Sequence, residues 1–341
     1  MKRYFSFVIA AFLCVVVATG CVSAKSAKTD VTTETAAEDI ANETAGDTDA
    51  LEVAEDEDVA EEPALAFTKT KKSLKCGKSF QFKTNKSDVT WSVSNKKKAS
   101  ISKTGKLKAK RYGKVTVTAA SGDETVSFVI KLKPKKVIGI DPGHQARGDS
   151  STEPVGPGSS TMKAKVAGGT SGVSTKKPEY QLTLEIGLAL KKELKSRGYK
   201  VVMTRETNDI NISNAERAIK LNKSCDAAIR LHADGGASSA RGASVLYPTT
   251  ANPYVAYLSA DSKRLSEAVI GAYCSATGIS NRGLSQRDDL TGTNWSTIPV
   301  TLLEMGFMTN SSDDNYMSSS DGQRAMVDGI ANGIDAYFGY R

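Results

Sequence analysis

The chain contains two histidines, His144 and His232, and each follows directly on a run patterned as a buried β-strand. Open α/β sheets bind ligands at the carboxyl ends of their strands, so two histidines at neighbouring strand ends form a candidate site. The simpler reading is a pair of hydrogen-bonded loop histidines. Two neutral imidazoles and one carboxylate suffice for catalytic zinc, which keeps one coordination position open for the water that attacks an amide. Two carboxylates compete for the third place. Glu179 opens the first predicted helix and so returns to the strand edge from which the loop after His144 departs; Glu185 lies further along the helix, where a surface role is as simple. Hydrolysis also needs a carboxylate that takes a proton from the attacking water and passes it to the departing nitrogen. Glu304 suits this role, because it ends the apolar run Ile298-Pro299-Val300-Thr301-Leu302-Leu303, where an ionised side chain is costly without a partner. A salt-bridged strand end is the alternative.

These residues need a frame. From Lys136 onward strand patterns at 137–141, 199–204, 227–232, 243–247 and 299–304 alternate with helix patterns at 179–197, 214–222, 262–276 and 322–337. The succession predicts a layered α/β domain with a largely parallel central sheet. Residues 145–178 read as a loop rich in Gly, Ser and Pro; one so long in a compact domain is functional or mobile, and a lid is one reading.

Four motifs occur in order: D-P-G-H at 141–144, P-E-Y-Q-L-T-L at 178–184, R-L-H-A-D at 230–234 and P-V-T-L-L-E-M-G-F-M-T-N at 299–310. With L-K-S-R-G-Y-K-V-V-M-T-R-E-T at 194–207 and N-A-E-R-A at 214–218 between them, they resemble the zinc-dependent N-acetylmuramoyl-L-alanine amidases over 136–341. The resemblance implies an enzyme that cleaves the amide between N-acetylmuramic acid and the L-alanine of the peptidoglycan stem peptide. It also implies His144, Glu179 and His232 as Zn2+ ligands and Glu304 as the catalytic carboxylate. Asp141 would stand behind them, orienting a ligand or capping the loop turn. The family often has a short glycine-rich stretch after D-P-G-H, where this chain has Gln145-Ala146-Arg147 and the long loop, a departure that bears on the substrate groove. Within the loop at 282–295, Arg287 and Asn294 are candidates for holding stem-peptide carboxylate or amide groups. Rival readings are a wall-binding surface protein without catalysis and a zinc carboxypeptidase acting on the stem peptide. The first has no reason to keep both histidines and both glutamates.

Residues 1–24 have the layout of an export signal, with Lys2 and Arg3 ahead of an apolar run short for a membrane span. Ala18-Thr19-Gly20-Cys21 resembles the lipobox of bacterial lipoproteins, which implies a lipid-modified Cys21 and a membrane anchor. Cleavage after Ala24 is the alternative and releases the protein. Both routes predict export, to the cell envelope or beyond. Over 25–64, 14 acidic residues against two lysines, with no aromatic residue, predict a disordered linker.

Over 65–134 short alternating runs punctuated by glycines predict a small all-β sandwich. V-T-W-S-V-S-N at 89–95, A-S-I-S-K-T-G-K-L-K-A at 99–109 and G-K-V-T-V-T-A at 113–119 resemble the bacterial immunoglobulin-like domain of intimin- and invasin-type surface proteins. Trp91 then reads as a core residue. Residues 65–136 hold 20 Lys plus Arg against three acids, whereas 137–341 hold 22 against 21. A basic face of this kind favours polyanions, in an exported protein teichoic acid or anionic lipid and not nucleic acid; a solvated surface without a ligand fits equally. Five cysteines without a C-x-x-C pair indicate neither a cysteine-held metal nor a disulfide framework, and Cys225 and Cys274 are expected as buried thiols.

Overall fold

The structure is a computed structural model that describes residues 62–340; the segment read as an export signal, Cys21 and nearly all of the acidic segment lie outside the described residues. The first module comprises β1 (Phe67–Lys69), β2 (Ser73–Lys75), β3 (Ser79–Gln81), β4 (Lys83–Thr84), β5 (Thr90–Val93), β6 (Ala99–Ile101), β7 (Lys106–Ala109), β8 (Gly113–Ser121) and β9 (Glu124–Lys133). They form one sheet in the order β2-β9-β8-β5 and another in the order β3-β7-β6, with β1 paired to β4. Alternation makes the sandwich: Leu107, Ala109, Val115, Val117 and Ala119 are buried, while Lys106, Lys108 and Lys114 face water. Phe67, Phe80, Trp91 and Phe128 pack on the core built from Leu74, Phe82, Leu107, Val117 and Ile130, so Trp91 is a packing residue.

Eight strands follow: β10 (Val137–Pro142), β11 (Asp149–Pro154), β12 (Met162–Val166), β13 (Lys200–Met203), β14 (Ala227–Asp234), β15 (Ala243–Tyr247), β16 (Asn281–Gln286) and β17 (Val300–Phe307). The helices are α1 (Glu179–Ser196), α2 (Asn214–Asn222), α3 (Ser259–Thr277), α4 (Thr291–Asn294), α5 (Ser311–Ser318) and α6 (Ser320–Tyr337). Six strands make the central sheet in the order β13-β10-β14-β17-β15-β16. β13, β10, β14 and β17 pair in parallel, and only β15 runs antiparallel to its neighbour β17.

Both faces of the sheet are covered, which is why β14 and β17 read as near-continuous apolar runs. On one face Ile138, Ile140, Ile229, Leu231, Leu303 and Met305 join Leu182, Leu190, Val269 and Ile330 from α1, α3 and α6 in the main core. On the other, Ala228 and Val300 meet Leu221 of α2 in a smaller cluster. The two-residue period of a strand puts Arg230 and His232, and Leu302 and Glu304, on this second, thinner side. The layout is the expected one, α/β with a largely parallel sheet behind an all-β sandwich.

In the α/β domain five elements, β11, β12, β16, α4 and α5, have no counterpart in the sequence expectation. The segment 145–178 holds an antiparallel hairpin, β11 with β12. Its strands, D-S-S-T-E-P and M-K-A-K-V, pair only with each other and carry too few apolar residues to show a period. The hairpin is fastened on both sides: Trp295 Nε1 donates to Pro154 O at 3.0 Å, Asn294 Nδ2 to Val155 O at 3.1 Å, Asn214 Nδ2 to Lys165 O at 2.8 Å, and buried Glu153 accepts from Ala215 N at 3.1 Å. β16 is a mostly exposed edge strand, and α5 is a short helix capped by Asn310. Cys76 and Cys225 are buried free thiols and Cys274 is a half-buried one, each pushed up to about 11 by burial.

β9 leads into β10 within a few residues, and the modules touch there. Gly198, at φ +91°, closes the turn after α1; a Cβ on it would stand 2.8 Å from both Cys76 Cβ and Lys110 O, so the contact requires glycine. Lys135 N donates to Gly198 O at 2.9 Å, and Lys135 Nζ pairs with Asp335 at 3.2 Å between the rings of Tyr199 and Tyr340.

Candidate metal centre

The chain leaves β10 through Gly143 and His144. His144 sits at φ +59°, a conformation uncommon for a residue with a side chain and kept where the surroundings impose it. Two contacts do so: Gly143 N donates to Leu231 O at 2.9 Å, and Arg217 Nη2 donates to His144 O at 2.9 Å. Gly143 lies beneath the ring of His232, where a Cβ would come within 2.4–2.7 Å of ring atoms. Glu179 is the first residue of α1, where the helix N-terminus favours an anion. Its Oε2 accepts from Thr170 N at 3.0 Å and its Oε1 from Ala233 N at 3.1 Å. Oε1 then stands 3.1 Å from His144 Nε2 and 3.2 Å from His232 Nδ1. One ligand-type atom from each of the three side chains falls within 4.8 Å of the others.

Hydrogen placement argues for a cation at this point. His144 Nδ1 lies 2.8 Å from Ala167 O, an acceptor, so the ring hydrogen is there and Nε2 of the neutral ring turns a lone pair toward a carboxylate oxygen. Two acceptors so close require a proton or a metal between them. Ligand atoms about 2.0 Å from a tetrahedral zinc stand about 3.3 Å apart, near the two separations from Glu179 Oε1 to the imidazole nitrogens. The buried Nε2 of His232 meets no partner among the described residues. Burial holds the His232 pKa below its ordinary value, which keeps the ring in the neutral form that ligates. Burial acts the same way on His144, but the hydrogen bond and charge of Glu179 outweigh it and raise the pKa. The Glu179 carboxyl is held well below its usual range, burial being outweighed by both imidazoles. These residues fit a zinc-type ion.

Glu304 faces His232 in register across β14 and β17. Its Oε2 is enclosed and meets no donor among the described residues. Burial pushes its pKa well above the carboxylate range, Glu179 and Asp234 push further, and Arg230 and Arg287 oppose. A carboxylate so placed is a strong base for its type.

A family model described as N-acetylmuramoyl-L-alanine amidase matches residues 138–336, more than half of the chain and all four of these side chains. The chain belongs to this family. A bacterial Ig-like domain (group 2) model matches residues 63–130. Among similar proteins is an N-acetylmuramoyl-L-alanine amidase of Mycobacterium tuberculosis, 32% identical over 217 residues that cover 59% of this chain and 86% of that protein. A probable cell wall amidase of Staphylococcus saprophyticus is 27% identical over 207 residues, 61% of this chain and 60% of its own length. The crystal structure of the N-acetylmuramyl-L-alanine amidase of Mycobacterium smegmatis superimposes with a TM-score of 0.55 at 27% identity, covering 61% of this chain and 99% of that one.

In this amidase Asp141 touches neither histidine. Its Oδ1 accepts from Thr204 Oγ1 at 2.6 Å and Arg217 Nη1 at 2.9 Å, and its Oδ2 accepts from Arg230 Nε at 2.9 Å. Burial would raise its pKa, and the two guanidinium charges outweigh that and hold it far below the usual range. Asp141 therefore steadies Arg230 and also Arg217, which holds the His144 carbonyl. Arg205 completes the clamp by donating to Pro142 O at 3.0 Å, Gly143 O at 2.9 Å and Tyr180 O at 2.7 Å. Arg205 and Arg217 lie within the motifs at 194–207 and 214–218, but their roles are not legible there, because an arginine's burial leaves no periodic signal.

Asn294 corrects an expectation. It is 1% exposed, and its amide donates to Val155 O and Asp288 O and accepts from Asn252 Nδ2, so it braces loops and cannot reach a substrate. Arg287 is exposed and forms a forked pair with Asp289 at 2.7 and 2.9 Å. Glu185 is held by Lys177, Gln181 and Gln323, away from the histidines.

Proposed function

We propose that the chain hydrolyses the amide between N-acetylmuramic acid and L-alanine in peptidoglycan, with His144, Glu179 and His232 holding zinc and Glu304 as the proton carrier. The observation that supports this most is the meeting of two imidazoles and a carboxylate in a chain of the amidase family, with Glu304, its Oε2 enclosed and unpartnered, in register with His232. Enzymes of this family are generally zinc-dependent. When bound, zinc supplies Lewis acidity toward the scissile carbonyl and lowers the pKa of water. Glu304 takes a proton from the water as its oxygen attacks the carbonyl carbon. It returns that proton to the alanine nitrogen as the C–N bond breaks, releasing a lactyl carboxylic acid and a peptide amine. Arg205, Arg217 and Asp141 hold His144 and Gly143 in place throughout.

The lysine-rich module adds contact with wall polyanions such as teichoic acid, and a lipid on Cys21 would keep the enzyme at the membrane. Muropeptide mass analysis tests the central reading. Purified peptidoglycan with zinc-loaded protein should yield free stem peptides with a new alanine N-terminus, and Glu304→Ala should yield none. Release of D-alanine alone would mark a carboxypeptidase instead.

A further inference from the structure

Beside His232 a cavity of about 250 Å³ opens, lined by Lys163, Asn214, Arg230, His232, Thr291 and Leu302. Of the three buried arginines, Arg205 and Arg217 spread their donors over backbone carbonyls and side-chain oxygens. Arg230 differs. Its Nε reaches Asp141 and its Nη2 reaches Asn214 Oδ1 at 2.8 Å, while no acceptor among the described residues meets Nη1. Gly292 lies against the guanidinium, where a Cβ would stand 2.3 Å from the central carbon. One carboxylate, Asp141, is shared by Arg217 and Arg230, and neither its oxygens nor Asn214 occupies Arg230 Nη1. The Asp289 carboxylate, also in the lining, is shared by Arg287 and by Lys163, which also donates to Asp289 O at 2.6 Å.

We infer that this cavity is a carboxylate subsite, and that it selects stem peptides whose second residue keeps a free α-carboxylate. The inference rests on the amidase reading. The muramic acid side of the scissile bond carries no anion, so an anionic partner must come from the peptide. The second residue, a glutamate joined onward through its side chain, presents its α-carboxyl either free or as an amide. Arg230 lies two residues before His232 on the same strand face, about 7 Å along the sheet, and that α-carboxyl stands about two residues, roughly 7 Å, from the scissile nitrogen. A free carboxylate accepts from Arg230 Nη1 and is attracted by the Arg230 and Lys163 cations that line the cavity. A carboxamide brings N–H groups against donors and no charge.

The test uses two muramyl tripeptides, L-Ala-γ-D-Glu-L-Lys on muramic acid and its α-carboxamide counterpart, with the full-length zinc-loaded protein. The carboxylate substrate should show a kcat/KM at least about tenfold higher, mostly through KM, the scale expected when a site's hydrogen-bonding groups go unmatched. Calorimetry of the two released tripeptides with metal-free protein should give the same order of affinities. Lys163→Met and Arg230→Lys should each shrink the ratio severalfold; Lys163 is partly exposed, so its variant folds even where the buried Arg230 variant does not. Equal cleavage of both substrates by the native enzyme, or an unchanged ratio in Lys163→Met, overturns the subsite and leaves the amidase reading intact. Cleavage of neither overturns the amidase reading and the subsite with it.

Discussion

At the scale of single residues the centre is a problem in compatible burial. Glu304 is partly buried and its Oε2 is enclosed without a donor, which raises its proton affinity at the cost of stability. Glu304→Gln keeps the shape and loses the proton transfer, so turnover should fall by about 10²–10⁴ with zinc content unchanged and the melting temperature equal or higher. Gly143→Ala puts a methyl group into the His232 ring. Elemental analysis after dialysis against a weak chelator should show zinc lost at least about tenfold more readily, since displaced ligands cost that much in related sites. Asp141→Asn strips the shared anion from two buried guanidinium groups, a change worth about 3–5 kcal/mol in unfolding experiments. Because the folded carboxyl is held below its unfolded value, its contribution is present above about pH 4 and drains away as acid protonates it. Native stability should therefore decline on acidification below that point more steeply than in the asparagine variant. Histidines and glutamates at strand ends were legible in the sequence because these side chains are scarce and badly suited to apolar runs. Arg205, Arg217 and Arg230 were not, since arginine is usual on surfaces and nothing in its spacing reports that it is enclosed.

Elements with strong apolar periods were readable, and the polar ones were not. The parallel strands and the long helices stand within a few residues of their expected limits, because a covered sheet needs apolar runs and α1, α3 and α6 need apolar stripes. β16 lies at the sheet edge in water, and the β11–β12 hairpin is built from polar residues held by side chains distant in sequence, so neither has a local signature. Those fastenings bear on the lid reading of 145–178. A hairpin tied to α2 on one side and to the 288–295 segment on the other should resist proteolysis in the native enzyme. Asn294→Ala unties it, leaving Val155 O and Asp288 O unmatched. It should lower stability by about 1–3 kcal/mol and speed cutting within residues 155–162, while KM for muropeptides changes little. Rapid cutting there in the native protein, suppressed by wall fragments, would restore the lid.

Across the whole molecule the immunoglobulin-like module and the amidase meet through Gly198, Lys135 and Asp335. Gly198→Val drives a side chain into Cys76 and the Lys110 backbone, so differential scanning calorimetry should resolve two unfolding transitions where the native chain gives one. The module joins β10 at its amino end, while His144 follows the carboxyl end of the same strand. β10 is bonded on both sides by parallel neighbours, β13 and β14. Tension between that module, if anchored, and a substrate held at the catalytic end would run along the strand axis and load its evenly spaced hydrogen bonds in shear. Bonds loaded this way share the force and fail together, where a perpendicular pull would unzip them one at a time. Were the module held by a lipid on Cys21 or by wall polyanions, an enzyme built this way would bear a pull from its substrate without unravelling from the held end.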